Sequence, residues 1–195
     1  MGKKIMVLVG SPRKNGNTNT VVDWFVEGAE SAGAEVERID ASRLKSKFNG
    51  CISCLGCQKS EKFECVVEDE VKPVLARMPE KDVLVFATPV YFIGPSAQIK
   101  LVMDRMYSHI KFTDPKTGER SYNLGRLSMA LIATGGGDVT HGLNIVDQTF
   151  RLVAGFSGRP YSSLLVPSAS VFDDSLKQNE ELHEKARAFG RSLAV

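Results

Sequence analysis

Three apolar runs constrain the fold more tightly than anything else in this chain. Lys4–Val9, Asp82–Ala87 and Leu127–Ala133 are short and almost wholly apolar, and they lead into Gly10, Thr88-Pro89 and the triplet Gly135-Gly136-Gly137. Such runs read as strands buried on both faces. Weaker strand patterns occupy Glu35–Ile39 and Ser163–Val166. Helical patterns fall between them: Asn17 or Thr18 to about Ser31, Glu68–Met78 with Pro73 near its first turn, Ser96–Tyr107, Thr140–Ala154, and a charged terminal helix from Ser175. This alternation, without internal repeat or linker, predicts one α/β domain over residues 1–195, a parallel sheet covered by helices on both faces. Residues 111–126, with Asp114-Pro115 and Thr117-Gly118, read as a surface excursion.

Ligands of such sheets bind beyond the carboxyl ends of the strands, which directs attention to residues 10–18, 88–96 and 134–141. The first loop supplies the hydroxyls of Ser11 and Thr18, the Asn17 amide and the Arg13 guanidinium at the start of a helix. Unpaired N–H groups and the helix dipole favour an anion there. The loop has neither the three glycines of the dinucleotide fingerprint nor a Walker Gly-Lys-Ser/Thr, which disfavours a Rossmann dehydrogenase and an ATPase. Its plainer reading is a polar turn with a helix cap. The second loop carries Pro89, Val90, Tyr91, Phe92, Gly94, Pro95 and Ser96, a stiff segment with ring surface and free backbone N–H groups; its aromatics could equally be core or interface residues. In the third, Thr134 precedes Gly135, Gly136 and Gly137, which let backbone approach a ligand closely or simply form a turn. His141, just beyond, is assigned no role.

Gly10-Ser11-Pro12-Arg13 followed by Gly16-Asn17-Thr18, then Thr88-Pro89-Val90-Tyr91-Phe92, then Lys100 with Asp104-Arg105, resembles the NADPH-dependent FMN reductases of the flavodoxin-like fold along nearly the whole chain. The resemblance implies a five-stranded parallel sheet of order 2-1-3-4-5 and FMN as cofactor, with flavin-centred chemistry and no catalytic side chain. It implies that Ser11, Arg13, Asn17 and Thr18 hold the FMN phosphate. Pro89, Val90, Tyr91, Phe92, Gly94 and Ser96 would lie against the ring, and Thr134, Gly135, Gly136 and Gly137 at its pyrimidine edge. A homodimer or homotetramer is implied as well. NAD(P)H is a possible electron donor, but no separate nicotinamide motif identifies it. Lys100, Asp104 and Arg105, at helical spacing, read as structural or interfacial residues. Met103, Met106, Tyr107 and Ile110 face either a partner subunit or their own core.

All four cysteines, Cys51, Cys54, Cys57 and Cys65, fall within residues 50–66. A disulfide scaffold would spread them along the chain; four thiols in one loop point to metal or redox chemistry. A [4Fe–4S] cube takes one thiolate per iron, and a tight Cys-x2-Cys-x2-Cys run wraps three corners, leaving Cys65 for the fourth. Four-cysteine zinc sites usually come as two separated Cys-x2-Cys knuckles, a poor fit here. Free thiols, or thiols paired by oxidation during handling, are the remaining option. The compact loop resembles that of the iron–sulfur flavoproteins, a branch of the same reductases, although their last gap is often shorter.

A net charge of +2 over 195 residues gives no field suited to nucleic acid, and no apolar run nears the roughly 20 residues a membrane helix needs. Met-Gly-Lys-Lys-Ile runs directly into the first strand pattern and does not read as a secretory signal, so the expected location is the cytoplasm. The resulting expectation is an FMN-dependent electron-transfer oxidoreductase with a cysteine-bound [4Fe–4S] cluster, serving a redox protein or a small-molecule acceptor. The alternatives are a cluster-free NAD(P)H-dependent FMN or quinone reductase and, lower, a non-enzymatic zinc-stabilised module that binds phosphate ligands.

Overall fold

The computed structural model describes residues 2–114 and 116–195; Met1, and Pro115 of the expected excursion, lie outside the described residues. The elements run β1 (Lys4–Val9), α1 (Asn17–Ser31), β2 (Glu35–Asp40), α2 (Gly56–Lys59), α3 (Val71–Arg77), β3 (Val83–Tyr91), β4 (Gly94–Pro95), α4 (Ala97–Arg105), β5 (Ile110–Asp114), β6 (Glu119–Tyr122), β7 (Ser128–Thr134), α5 (Asn144–Phe156), β8 (Tyr161–Val166) and α6 (Glu180–Ala194). Five strands form a parallel sheet in the order β2-β1-β3-β7-β8, the flavodoxin-like order 2-1-3-4-5 when the parallel strands alone are counted.

Alternation along the central strands builds two cores. Ile5, Val7 and Val9 of β1, with Val83, Val85, Ala130 and Ile132, point to one face and pack against Val21, Val22 and Phe25 of α1 and Ala186 of α6. Met6, Leu8, Leu84, Phe86, Met129 and Leu131 point to the other, against Val74 and Leu75 of α3, Ile99 and Val102 of α4, and Phe150 of α5. The period of two assigns each neighbour to the opposite face, and each fully buried large side chain contributes about 1.5–3 kcal/mol. The sheet's carboxyl edge is thereby fixed as a rigid platform.

Several expected boundaries move. β3 continues through Thr88-Pro89 to Tyr91, because Thr88 and Pro89 still stand in register with Ala133 and Thr134 of β7; its end folds back onto β4 as an antiparallel hairpin. The expected excursion at 111–126 contains a two-stranded ribbon, β5 with β6. The helix expected from Thr140 begins at Asn144, after a wider turn over Val139–Leu143 in which Gly142 takes φ +104. The terminal helix begins at Glu180, where the Asn179 side chain accepts the Leu182 N–H, and Ser175–Gln178 forms a separate 3₁₀ turn. Among the described residues no helix is long and apolar enough to cross a membrane.

Candidate functional site

Four strand exits converge on one cleft. It is lined by Ser11, Arg13, Gly16, Asn17 and Thr18 after β1, by Pro89, Val90 and Tyr91 at the end of β3, by Thr134 and Gly136 at β7, and by Ala169 and Val171 after β8. The exit of β8 was not expected from the sequence. The cleft encloses about 80 Å³.

The first loop reaches this position through backbone closure. Gly10 N–H bonds the Ala87 carbonyl at 2.8 Å, and Gly16 N–H bonds the Arg13 carbonyl at 2.9 Å. A Cβ at Gly10 would lie 2.2 Å from the Ile99 side chain and 2.5 Å from Ser96 Oγ, so glycine lets the loop seat against α4. Gly16 is the residue before α1, and no side chain caps that helix. Among the described residues, the opening N–H groups of α1, on Asn17 and Thr18, therefore have no intrahelical or side-chain partner where these residues line the cleft. Ser11 is buried and Arg13 is exposed. Two side chains of this loop also serve as clamps. Thr18 and Thr134 share a hydroxyl–hydroxyl bond of 2.7 Å, and the Asn17 amide donates to the Ser170 carbonyl at 2.6 Å.

The third loop is held by the fourth: Gly135 N–H bonds Val166 O at 3.0 Å, and Ala169 and Ser168 N–H groups bond Gly135 O and Gly137 O at 2.8 and 2.9 Å. A Cβ at Gly136 would meet nothing within 4 Å, so the surface there is bare backbone facing open space. A Cβ at Gly135 or Gly137 would instead press Leu143 or His141. Asp138 caps the turn that follows, accepting from the Thr140 N–H at 2.7 Å. Bonds from Thr140 and His141 hold its carboxyl down at about 2.

Not every expected residue joins the cleft. Gly135 and Gly137 lie beside it, while Phe92 sits at the β3–β4 tip with φ +46, its ring wholly exposed. Ile93, next to it, takes φ +70, a strained conformation for a β-branched residue. Gly94 pairs with Tyr91 in the hairpin. Ser96 is fully buried; its side chain caps α4, and its N–H bonds Thr88 Oγ1 at 2.9 Å.

A second cavity, about 370 Å³, is lined by all four cysteines together with Gly50, Ile52, Ser53, Leu55, Val66 and Val67, and by Asp104, Arg105, Tyr107 and Ser108 at the end of α4. Ser53 and Leu55 take φ +52 and +56, the left-handed region, within a segment whose residues 50 to 55 all line the cavity. Cys51 and Cys54 are exposed, Cys57 and Cys65 half-buried. Burial pushes the Cys57 thiol up, the Gln58 side chain pulls it down, and the charges of Cys65, Cys51 and Cys54 raise it further, as expected when four thiols share one space. Among the described residues no group of three or more Cys, His, Asp or Glu side chains is placed to hold a single metal ion. The cavity's α4 wall was not expected from the sequence: Arg105 is 2% exposed and ion-pairs with Asp69 at 2.7 Å.

The NADPH-dependent FMN reductase family model matches residues 3–172. An iron–sulfur flavoprotein of Archaeoglobus fulgidus is 36% identical over 109 residues, 54% of this chain and 47% of that protein. An iron–sulfur flavoprotein of Methanocaldococcus jannaschii is 32% identical over 148 residues, 76% of this chain and 69% of that protein. The chain spans about half the length of the first curated relatives it matches. Among solved structures, an NAD(P)H:quinone oxidoreductase from Methanothermobacter marburgensis shares the fold with a TM-score of 0.76 at 19% identity, covering 99% of this chain and 100% of that one. The chain belongs to the NADPH-dependent FMN reductase family, in its iron–sulfur flavoprotein branch.

Proposed function

We propose that this chain is an FMN-dependent oxidoreductase that passes electrons between FMN in the strand-exit cleft and a [4Fe–4S] cluster on its four cysteines. The observation that carries the reading is the cleft itself, where an uncapped helix start, a buried serine hydroxyl and an exposed guanidinium meet bare glycine backbone from another loop. That donor set suits a phosphate monoester. Its enclosed volume is far below the ~300 Å³ or more of a whole-ligand pocket, so it suits the phosphate end, with the flat ring lying across the mouth beside Tyr91. Ser11, Arg13 and the N–H groups of Asn17 and Thr18 hold the phosphate, while the clamps Thr18–Thr134 and Asn17–Ser170 fix the spacing of the loops. Pro89, Val90 and Tyr91 wall the ring, and Gly136 admits its edge. When bound, FMN supplies hydride and single-electron chemistry; the chain's residues bind it, orient it and limit water on its buried side. NAD(P)H is the proposed donor, and a redox protein or small molecule the proposed acceptor.

Four thiols around one cavity, not gathered about a single ion, suit a cube that spreads one thiolate to each iron better than a zinc ion with ligands at about 2.3 Å. The exposure of Cys51 and Cys54 favours a second reading, a cluster-free reductase on the same flavin site. Anaerobic purification with FMN and iron counted per chain separates the two. One FMN and four irons support the proposal; FMN without iron leaves the cluster-free reductase. A colourless protein that takes up neither refutes both. We further propose a homo-oligomeric assembly, consistent with the exposed apolar residues Leu152 and Phe156 on α5.

A further inference from the structure

We propose that Arg105 is the positioning residue that sets the reduction potential of the cysteine centre, through a charge-assisted hydrogen bond to the Cys65 sulfur. The inference rests on the reading that the cysteines carry an iron–sulfur cluster, and concerns what this chain does to it.

Arg105 ends α4 on its buried stripe, after Ile99 and Val102. Its fork divides between two tasks. Nη1 donates to both carboxylate oxygens of Asp69, at 2.8 and 2.7 Å, and to Ser46 Oγ at 3.4 Å. Nη2 donates to the Val67 carbonyl at 3.1 Å and to Cys65 Sγ at 3.4 Å. Asp69 in turn accepts the Lys47 N–H at 3.0 Å and the Val71 N–H at 3.1 Å. One guanidinium thus ties α4 to both arms of the cysteine segment, before Cys51 and after Cys65.

Anchoring alone would need only the Asp69 arm. The second arm puts a cationic N–H on a sulfur, with the compensating carboxylate on the Nη1 side, so the positive end of the pair faces Cys65. Both side chains are almost wholly withdrawn from water, where such a dipole is weakly screened. Adding one electron to a thiolate-ligated centre places more negative charge on its sulfurs. A donor at sulfur therefore stabilises the reduced form more than the oxidised form and raises the potential. Cys57 receives a weaker counterpart, the neutral Gln58 Nε2 at 3.7 Å, itself held by the Ile110 carbonyl at 2.7 Å. The centre is polarised: Cys57 and Cys65 form its half-buried, hydrogen-bonded side, Cys51 and Cys54 its exposed side.

The test is an anaerobic redox titration of the iron-loaded full chain, with dithionite as electron source and electron paramagnetic resonance as readout. Arg105→Gln, Arg105→Lys and Gln58→Ala are compared with wild type, and iron content and the flavin potential are recorded alongside. Arg105→Gln is expected to lower the equilibrium constant for one-electron reduction about tenfold, a fall of about 59 mV, while the flavin potential stays put. Arg105→Lys falls between, because a point charge cannot serve Asp69 and Cys65 as a fork does; Gln58→Ala, which loses only a neutral donor, shifts less than Arg105→Gln. Wild-type potential in an iron-loaded Arg105→Gln protein overturns the proposal and leaves the cluster reading intact. If that variant holds no iron, Arg105→Lys decides, and an unchanged potential there overturns it equally. A wild-type chain that takes up no iron overturns the cluster reading and this proposal together.

Discussion

Acidification should destabilise this protein well before its carboxylates protonate, and His109 is the cause. The residue closes the 3₁₀ turn after α4 and is 1% exposed. Burial drags its pKa from the ordinary 6.5 down to about 4, with the Leu75 backbone pulling weakly the other way. Below pH 6.5 the unfolded chain takes up a proton on this ring, whereas the folded chain does so only near pH 4. The folded state is therefore fully favoured above pH 6.5 and loses ground as pH falls through that window. At about 1.36 kcal/mol per pH unit, the loss is about 2 kcal/mol between pH 6.5 and 5, and about 3 kcal/mol by pH 4. Asp69 does not confuse the measurement. Burial would raise its carboxyl, but the bonds from Arg105 and from backbone N–H groups prevail and hold it at about 2; its contribution is present above pH 3.8 and disappears only below it. Urea denaturation at pH 7, 6 and 5 should show the decline in wild type and a flattened profile in His109→Gln, whatever that substitution costs at pH 7. An equally steep decline in the variant would refute the reasoning.

Three further outcomes follow from the geometry. α1 and α6 cross so closely that a Cβ at Gly190 would lie 2.1 Å from the Phe25 carbonyl oxygen. Backbone cannot swing aside, so Gly190→Ala should cost about 1–3 kcal/mol, read as a lowered Tm. Arg13→Ala, at an exposed position, should leave Tm unchanged and weaken FMN about tenfold to a hundredfold, the equivalent of one charge-assisted hydrogen bond; isothermal titration calorimetry checks it. Gly136→Val adds a side chain where nothing lies within 4 Å, so thermal melting should be near wild type while the filled cleft loses FMN, read as protein that purifies colourless.

What could be read from the sequence tracks burial. β1, β3 and β7 are covered on both faces, which demands continuous apolar runs that no loop would carry. β6 was hidden because Glu119, Arg120 and Ser121 are all exposed, and a strand with three polar residues in a row has no apolar alternation to betray its period. The reach of β3 past Pro89 was hidden by the usual meaning of proline, which here ends a ladder rather than interrupting one. The first three loops announce themselves through glycine, hydroxyls and charge; the fourth, Ala169 to Val171, is compositionally bland, and only the rule that ligands gather at strand exits points to it. Arg105 was masked by its neighbours. Lys100 and Asp104 form the exposed i,i+4 pair their spacing suggests, but Arg105 follows Ile99 and Val102 on the buried stripe, and a charged residue on an apolar stripe was the available signal.

The central claim is that the strand-exit cleft grips a phosphate monoester. Titrating flavin-free protein with FMN and, separately, with riboflavin, following quenching of flavin fluorescence, tests it directly. At least two charge-assisted hydrogen bonds to the phosphate, at about 1.5–3 kcal/mol each, predict that FMN binds more than about a hundredfold tighter than riboflavin. Equal affinities for the two flavins would contradict the account.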